Sequence, residues 1–140
     1  MKLVLLILSV SMLSFVDSCS RSGIELKEGT LNIPLKKCAD GKISRDKLSL
    51  CFDSVINDSR CPANAVCVWQ GTAVAKFSLT KNDKSTSFEL ATIKMSPNYH
   101  KDTAIMGYKI EFVNLSPYPG TVPTPFPADQ IKAELKITKE

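Results

Sequence analysis

Residues 131–138, Ile131-Lys132-Ala133-Glu134-Leu135-Lys136-Ile137-Thr138, place an apolar side chain at every second position. A β-strand turns successive side chains to opposite faces, so a period of two describes a strand with one face in a core and one in water. The same period recurs upstream. Leu31, Ile33 and Leu35 alternate with Asn32 and Pro34, and Leu48, Leu50 and Phe52 alternate with Ser49 and Cys51. Ala73, Ala75, Phe77 and Leu79 oppose Lys76, Ser78 and Thr80. Phe88 and Leu90 oppose Ser87 and Glu89, and Tyr108, Ile110 and Phe112 oppose Lys109 and Glu111. No stretch holds a helical stripe for three turns. Turn-forming residues separate the runs at Ala39-Asp40-Gly41, Asn57-Asp58-Ser59, Lys81-Asn82-Asp83-Lys84, Ser96-Pro97-Asn98 and Met106-Gly107. About seven short strands punctuated in this way predict an all-β, antiparallel, immunoglobulin-like β-sandwich. An open barrel has the same periodicity.

The chain is 140 residues long, room for one domain. Its 18 Lys and Arg against 14 Asp and Glu give a formal charge of +4. The basic residues are scattered rather than clustered, which argues against nucleic-acid binding. The lysines fall mostly in turns and on outward strand positions, where they solvate faces and protect sheet edges. Hydrophobic residues make up 44%, so the chain as a whole is not disordered.

The N-terminus reads as an address. Met1-Lys2 is followed by the apolar run Leu3–Val16. A spanning helix needs about 20 residues, so this shorter run is expected to be a signal-peptide core. Val16-Asp17-Ser18-Cys19 follows and resembles the lipobox of bacterial lipoproteins, departing at Asp17, where a small residue is usual, and at Val16, where leucine is commoner. The resemblance implies a lipoprotein signal over residues 1–18 and lipidation at Cys19; the alternative is ordinary secretion with Cys19 as an odd thiol. The short polar stretch that follows reads as a tether over 19–23, leading into a single domain over 24–140. With Cys19 acylated, four of the five cysteines remain: Cys38, Cys51, Cys61 and Cys67. An even number in an exported chain suits a disulfide framework. Of three connectivities, Cys61–Cys67 and Cys38–Cys51 are chosen because both are local, the second stapling the strand near Leu35 to that at Leu48.

Five of the eight prolines lie in Ser116–Pro127, SPYPGTVPTPFP. The segment is expected to cross between the Tyr108 and Ile131 strands as a stiff extended path. Tyr118 and Phe126 are candidate binding aromatics. The preferred reading packs them on the end of the domain.

The densest motif is Asp58-Ser59-Arg60-Cys61-Pro62-Ala63-Asn64-Ala65-Val66-Cys67-Val68-Trp69-Gln70-Gly71. Cys61 and Cys67 enclose a five-residue loop, Pro62 fixes its turn, and Gly71 frees the backbone to enter the next strand. Asp58 and Arg60 are a candidate charged recognition pair. The preferred reading has Asp58 capping a turn while Arg60 bonds loop carbonyls. Trp69 is a candidate binding aromatic, although beside a disulfide it is expected to pack into the core. The motif resembles a family of small exported bacterial proteins, often lipoproteins, without an assigned activity, whose pattern reads D-S-R-C-P, a gap, C, an apolar residue, W, any residue, G. Asp58, Ser59, Arg60, Cys61, Pro62, Cys67, Trp69 and Gly71 match it. Cys38 and Cys51 stand outside the pattern.

No catalytic constellation is visible. His100 is the only histidine, in the polar stretch Asn98–Asp102, with no marked serine partner. Cys-x5-Cys is not zinc-ligand spacing, and no phosphate loop or calcium loop occurs. Neither cofactor nor metal is expected. The expected role is that of a lipid-anchored cell-envelope protein with a non-catalytic binding or structural role. Its partners would be the membrane, through the lipid, and another envelope or extracellular protein. The alternatives are an inhibitor of exported proteases, acting through loop 62–66 or the proline-rich segment, and a small envelope hydrolase using Asp53, Asp58, Glu89 or Glu111.

Overall fold

A computed structural model describes residues 23–140. The leader, Cys19 and residues 19–22 of the tether lie outside the described residues. The alternating runs form strands, and no helix occurs among the described residues. The strands are β1 (Ile24–Glu25), β2 (Gly29–Pro34), β3 (Cys38–Ile43), β4 (Asp46–Asp58), β5 (Ala73–Lys81), β6 (Lys84–Ala91), β7 (Asp102–Ile105), β8 (Tyr108–Ser116) and β9 (Lys132–Lys139). They make two sheets, ordered β1-β3-β4-β5-β6 and β2-β9-β8-β7.

Both sheets contribute to one buried cluster. Phe77 of the first sheet stands at its centre. Its ring lies 5.4 Å from Phe52 on the neighbouring strand and meets Phe112 of the second sheet edge-on at 5.2 Å. Leu48, Leu50 and Leu79 on one side and Ile110, Leu135 and Ile137 on the other are fully buried around it. Each fully buried Leu, Ile or Phe side chain contributes about 1.5–3 kcal/mol of transfer free energy.

The structure departs from the sequence expectation at five points, one being Asn57-Asp58-Ser59, expected as a turn, whose first two residues are still paired within β4. There are nine strands among the described residues, not about seven. Ala39-Asp40-Gly41, expected as a turn, lies inside β3; the turn follows at Ser44, where φ is +57°. Gly41 is there for closeness, since a Cβ at this position would stand 2.2 Å from the Leu26 carbonyl oxygen. Pairing is not wholly antiparallel, because β1 lies parallel to β3. Ser116–Pro127 joins β8 to β9, which are neighbours in one sheet, so it is a wide hairpin loop rather than a crossing.

Three hairpins among the described residues have two-residue turns. Asn82 and Asp83 between β5 and β6, and Met106 and Gly107 between β7 and β8, all take positive φ, whereas in Ser44-Arg45 between β3 and β4 only Ser44 does. Positive φ at both residues is the turn geometry matching the right-handed twist of paired strands.

Disulfides join Cys38 to Cys51 and Cys61 to Cys67. Cys38 and Cys51 are direct partners across β3 and β4, with Cα atoms 4.0 Å apart, so the first bridge lies within one sheet. Leu35 precedes this bridge on the turn out of β2, in the other sheet. Two such bridges fit an exported, oxidising location.

Candidate functional site

The site stands at the end of the sheets to which β4 delivers Asp58. β4 is the longest strand, and its register with β5 shifts between Phe52 and Ser54 and again between Val55 and Asn57. Such irregularities bend a strand and re-aim its end.

Beyond Asp58 the chain leaves the sheet as a ribbon that stays paired at its base. Ser59 N–H donates to the Thr72 carbonyl at 3.0 Å, and Cys61 N–H donates to the Gln70 carbonyl at 2.9 Å. The Ser59 hydroxyl also donates to the Thr72 carbonyl and accepts from Thr72 N–H. Gly71 makes this approach possible. Its φ is +68°, and a Cβ there would stand 1.8 Å from the Ser59 carbonyl oxygen. The Cys61–Cys67 bridge closes the outer loop, inside which Ala65 N–H turns back to the Pro62 carbonyl.

Arg60 locks this ribbon to the proline-rich loop. Its side chain is 4% exposed. Nε donates to Asp58 Oδ1 at 2.8 Å and Nη2 to Asp58 Oδ2 at 2.7 Å, a two-pronged ion pair. Asp58 Oδ1 also accepts from the Arg60 backbone N–H at 3.3 Å, closing a local turn. Nη1 donates to the Leu115 carbonyl and Nη2 to the Pro117 carbonyl at 3.2 Å. The guanidinium lies 4.8 Å from the centre of the Tyr118 ring. Four of the five guanidinium donors are thereby used within the chain, so Arg60 is a clamp and not a free anion receptor. Ala63 N–H donates to the Pro119 carbonyl at 2.8 Å and fastens the two loops a second time.

Between the loops is a cavity of about 440 Å³, with Asp58 and Arg60 at its base and Pro62, Leu115 and Phe126 among its walls. Phe126 is half-buried there, while Tyr118 stacks on Arg60 and keeps one side in water. Trp69 does not pack into the core. It is 76% exposed, and Val66 and Val68 are fully exposed beside it. These two valines were not singled out from the sequence. Their signal was three large apolar residues within a short loop that offers them no apolar partner.

The residues considered for catalysis are spread apart. Asp58 is engaged by Arg60, Glu111 pairs with Lys101 at 2.8 Å, Asp53 accepts from the Ser78 hydroxyl, and Glu89 stands opposite Lys76 on a neighbouring strand. His100 is exposed in the loop before β7. The groups with displaced ionisation lie elsewhere. At the opposite end of the sheets Tyr108 is pushed up to about 12 by burial and by the carboxylate of Asp46. Asp46 is held below the usual carboxylate range by the Tyr108 hydroxyl, at 2.7 Å, and by Lys81, at 3.0 Å. Lys109 is raised and Asp102 lowered by their mutual ion pair.

The arrangement is thus a base fixed by an ion pair, a disulfide and backbone hydrogen bonds, carrying exposed apolar side chains. Comparison of the chain with models of protein families, with curated proteins and with solved structures finds no match.

Proposed function

We propose that this chain is an exported bacterial protein, held to the cell-envelope membrane by acylation of Cys19, with a non-catalytic binding or structural role. Its two sheets are read as an immunoglobulin-like β-sandwich, and the motif from Asp58 to Gly71 as the mark of the family of small exported proteins that it resembles. The observation that carries the reading is the exposure of Val66, Val68 and Trp69 on a loop closed by Cys61–Cys67 and anchored by the buried Arg60. A folded chain keeps few large apolar groups in water together unless something covers them. Spending a buried ion pair, a disulfide and a left-handed glycine on holding them there favours a contact surface. The two disulfides support residence in an oxidising compartment.

The test is intact mass of the protein taken from its native host, before and after reduction. Acylated Cys19 at the N-terminus, and a gain on reduction of the four hydrogens of two bridges, supports the reading. An unlipidated product with a free Cys19 thiol removes the anchor. The binding role is tested by cross-linking in intact envelopes. Val66→Ser with Trp69→Ala loses neighbours that the parent protein captures, and an unchanged set of neighbours refutes the contact surface.

A further inference from the structure

We infer that the end of the domain carrying Val66, Val68 and Trp69 contacts the lipid bilayer itself. The inference rests on the anchored reading above and names the partner of that surface.

Charge is the first observation. Charged residues make up 23% of the chain. None occurs from Cys61 to Ala75, or from Leu115 to Ala128. The structure brings these two stretches together through Ala63 and Pro119 and through Arg60 and Leu115. The flanking charges stand at the bases of the loops, where Asp58 and Arg60 neutralise each other and Asp129 and Lys132 lead into β9. The two loops themselves therefore bring no charge to a membrane interface, while exposed Lys36, Lys37 and Lys94 stand on neighbouring turns at the same end.

Side-chain chemistry is the second. Val66, Val68, Trp69, Tyr118 and Val122 are exposed here. Tryptophan and tyrosine are favoured where hydrocarbon meets headgroups, because each has an apolar body and a polar tip.

Chain direction is the third. β1 runs parallel to β3, with Ile24 opposite Ala39 and Glu25 opposite Asp40, and β3 runs antiparallel to β4. The backbone therefore enters β1 from the side toward which β4 carries Asp58. A tether of residues 19–23 spans at most about 17 Å. An acyl group on Cys19 keeps the domain near the bilayer, and the described chain enters β1 from the side on which the two loops stand.

Trp69 is the only tryptophan, so its fluorescence reports this contact directly. The full chain, purified in detergent from host membranes, is reconstituted into phosphatidylethanolamine–phosphatidylglycerol vesicles with and without phosphatidylcholine brominated near the headgroup. The expected result is a chain that sediments with the vesicles, a blue-shifted Trp69 emission and a marked loss of that emission to bromine. Val66→Ser with Val68→Ser weakens the quenching while the chain still sediments. A chain that sediments with Trp69 unquenched overturns the bilayer contact and leaves the anchor standing. A chain that does not sediment overturns both. Trp69 that is untouched by bromolipid, yet better shielded from acrylamide in native envelopes than in buffer, assigns the surface to a protein instead.

Discussion

Arg60→Ala is the substitution that most directly tests the construction of the site. The guanidinium has a 4% exposed side chain and holds Asp58 together with the carbonyls of Leu115 and Pro117. Removing it takes the side-chain donors from three partners, of which Asp58 keeps the backbone N–H of residue 60. Asp58 is 21% exposed and Pro117 is half-buried, so water recovers part of their loss. The Leu115 carbonyl bond is buried, and an orphaned buried acceptor costs about 1–3 kcal/mol. Adding the broken ion pair brings the expected loss to about 3–4 kcal/mol, within the range for breaking buried pairs. That is a large part of the roughly 5–15 kcal/mol that holds an ordinary domain together. Arg60→Lys recovers only part, because one ammonium cannot span a carboxylate and two carbonyls. Chemical denaturation with both disulfides intact measures each loss. The Asp58→Ala, Arg60→Ala cycle should show coupling of at least about 1.5 kcal/mol, since each single change strands the other group. An Arg60→Ala loss below about 1 kcal/mol, or additive single changes, would refute the clamp.

Three further expectations follow from the same geometry. Trp69→Ala should change stability by no more than about 0.5 kcal/mol, as for other surface positions; a loss of 3–5 kcal/mol in thermal or urea unfolding would mean that the ring is buried after all. Gly71→Ala should cost more than the ~1–2 kcal/mol of left-handed backbone alone, because its Cβ meets the Ser59 carbonyl oxygen at 1.8 Å; a neutral result in the same denaturation assay would contradict the close approach. Burial and the Asp46 carboxylate raise Tyr108 from 10.0 to about 12, so the folded state keeps a proton that the unfolded chain releases. Stability should therefore fall as pH climbs from about 10 toward about 12, and Tyr108→Phe should flatten that part of the unfolding profile; a parent profile no steeper than the variant's would remove the argument.

Six of the nine strands were legible because their inward positions carry large apolar residues. β3 was not, although it keeps the period of two. Its inward positions are Ala39, Gly41 and Ile43, and the small residues are present because Leu26 passes over them. Locally, Asp40-Gly41 has the chemistry of a turn, and only the tertiary approach of residue 26 makes it a strand. β1 is two residues long and β7 is a four-residue edge strand, too short for alternation to register. The disulfide pairs were accessible from spacing, since Cys38 and Cys51 sit symmetrically about the turn at Ser44-Arg45.

Trp69 shows where pattern reasoning stops. Counted back from Phe77, Ala75 and Ala73, position 69 has the inward phase, and a neighbouring disulfide favours burial. Two features cancel that phase. Pairing of β4 with β5 ends at Asp58 and Ala73, so the ribbon beyond has no opposing sheet to face. Gly71 at φ +68° then breaks the extended backbone between residues 69 and 73. Alternation carries burial only while the strand remains between layers. Once the chain projects past them, its apolar side chains meet solvent unless something outside the domain covers them. Arg60 acquires its importance by the same logic in reverse. Its partners, Leu115 and Pro117, lie more than fifty residues away and offer only backbone carbonyls. Any residue type supplies a carbonyl, so no spacing of side chains announces where a guanidinium will find two of them. The charge-free stretches from Cys61 to Ala75 and from Leu115 to Ala128 were readable separately. Their union into one surface depends on the clamp, and so the site exists only in the folded chain.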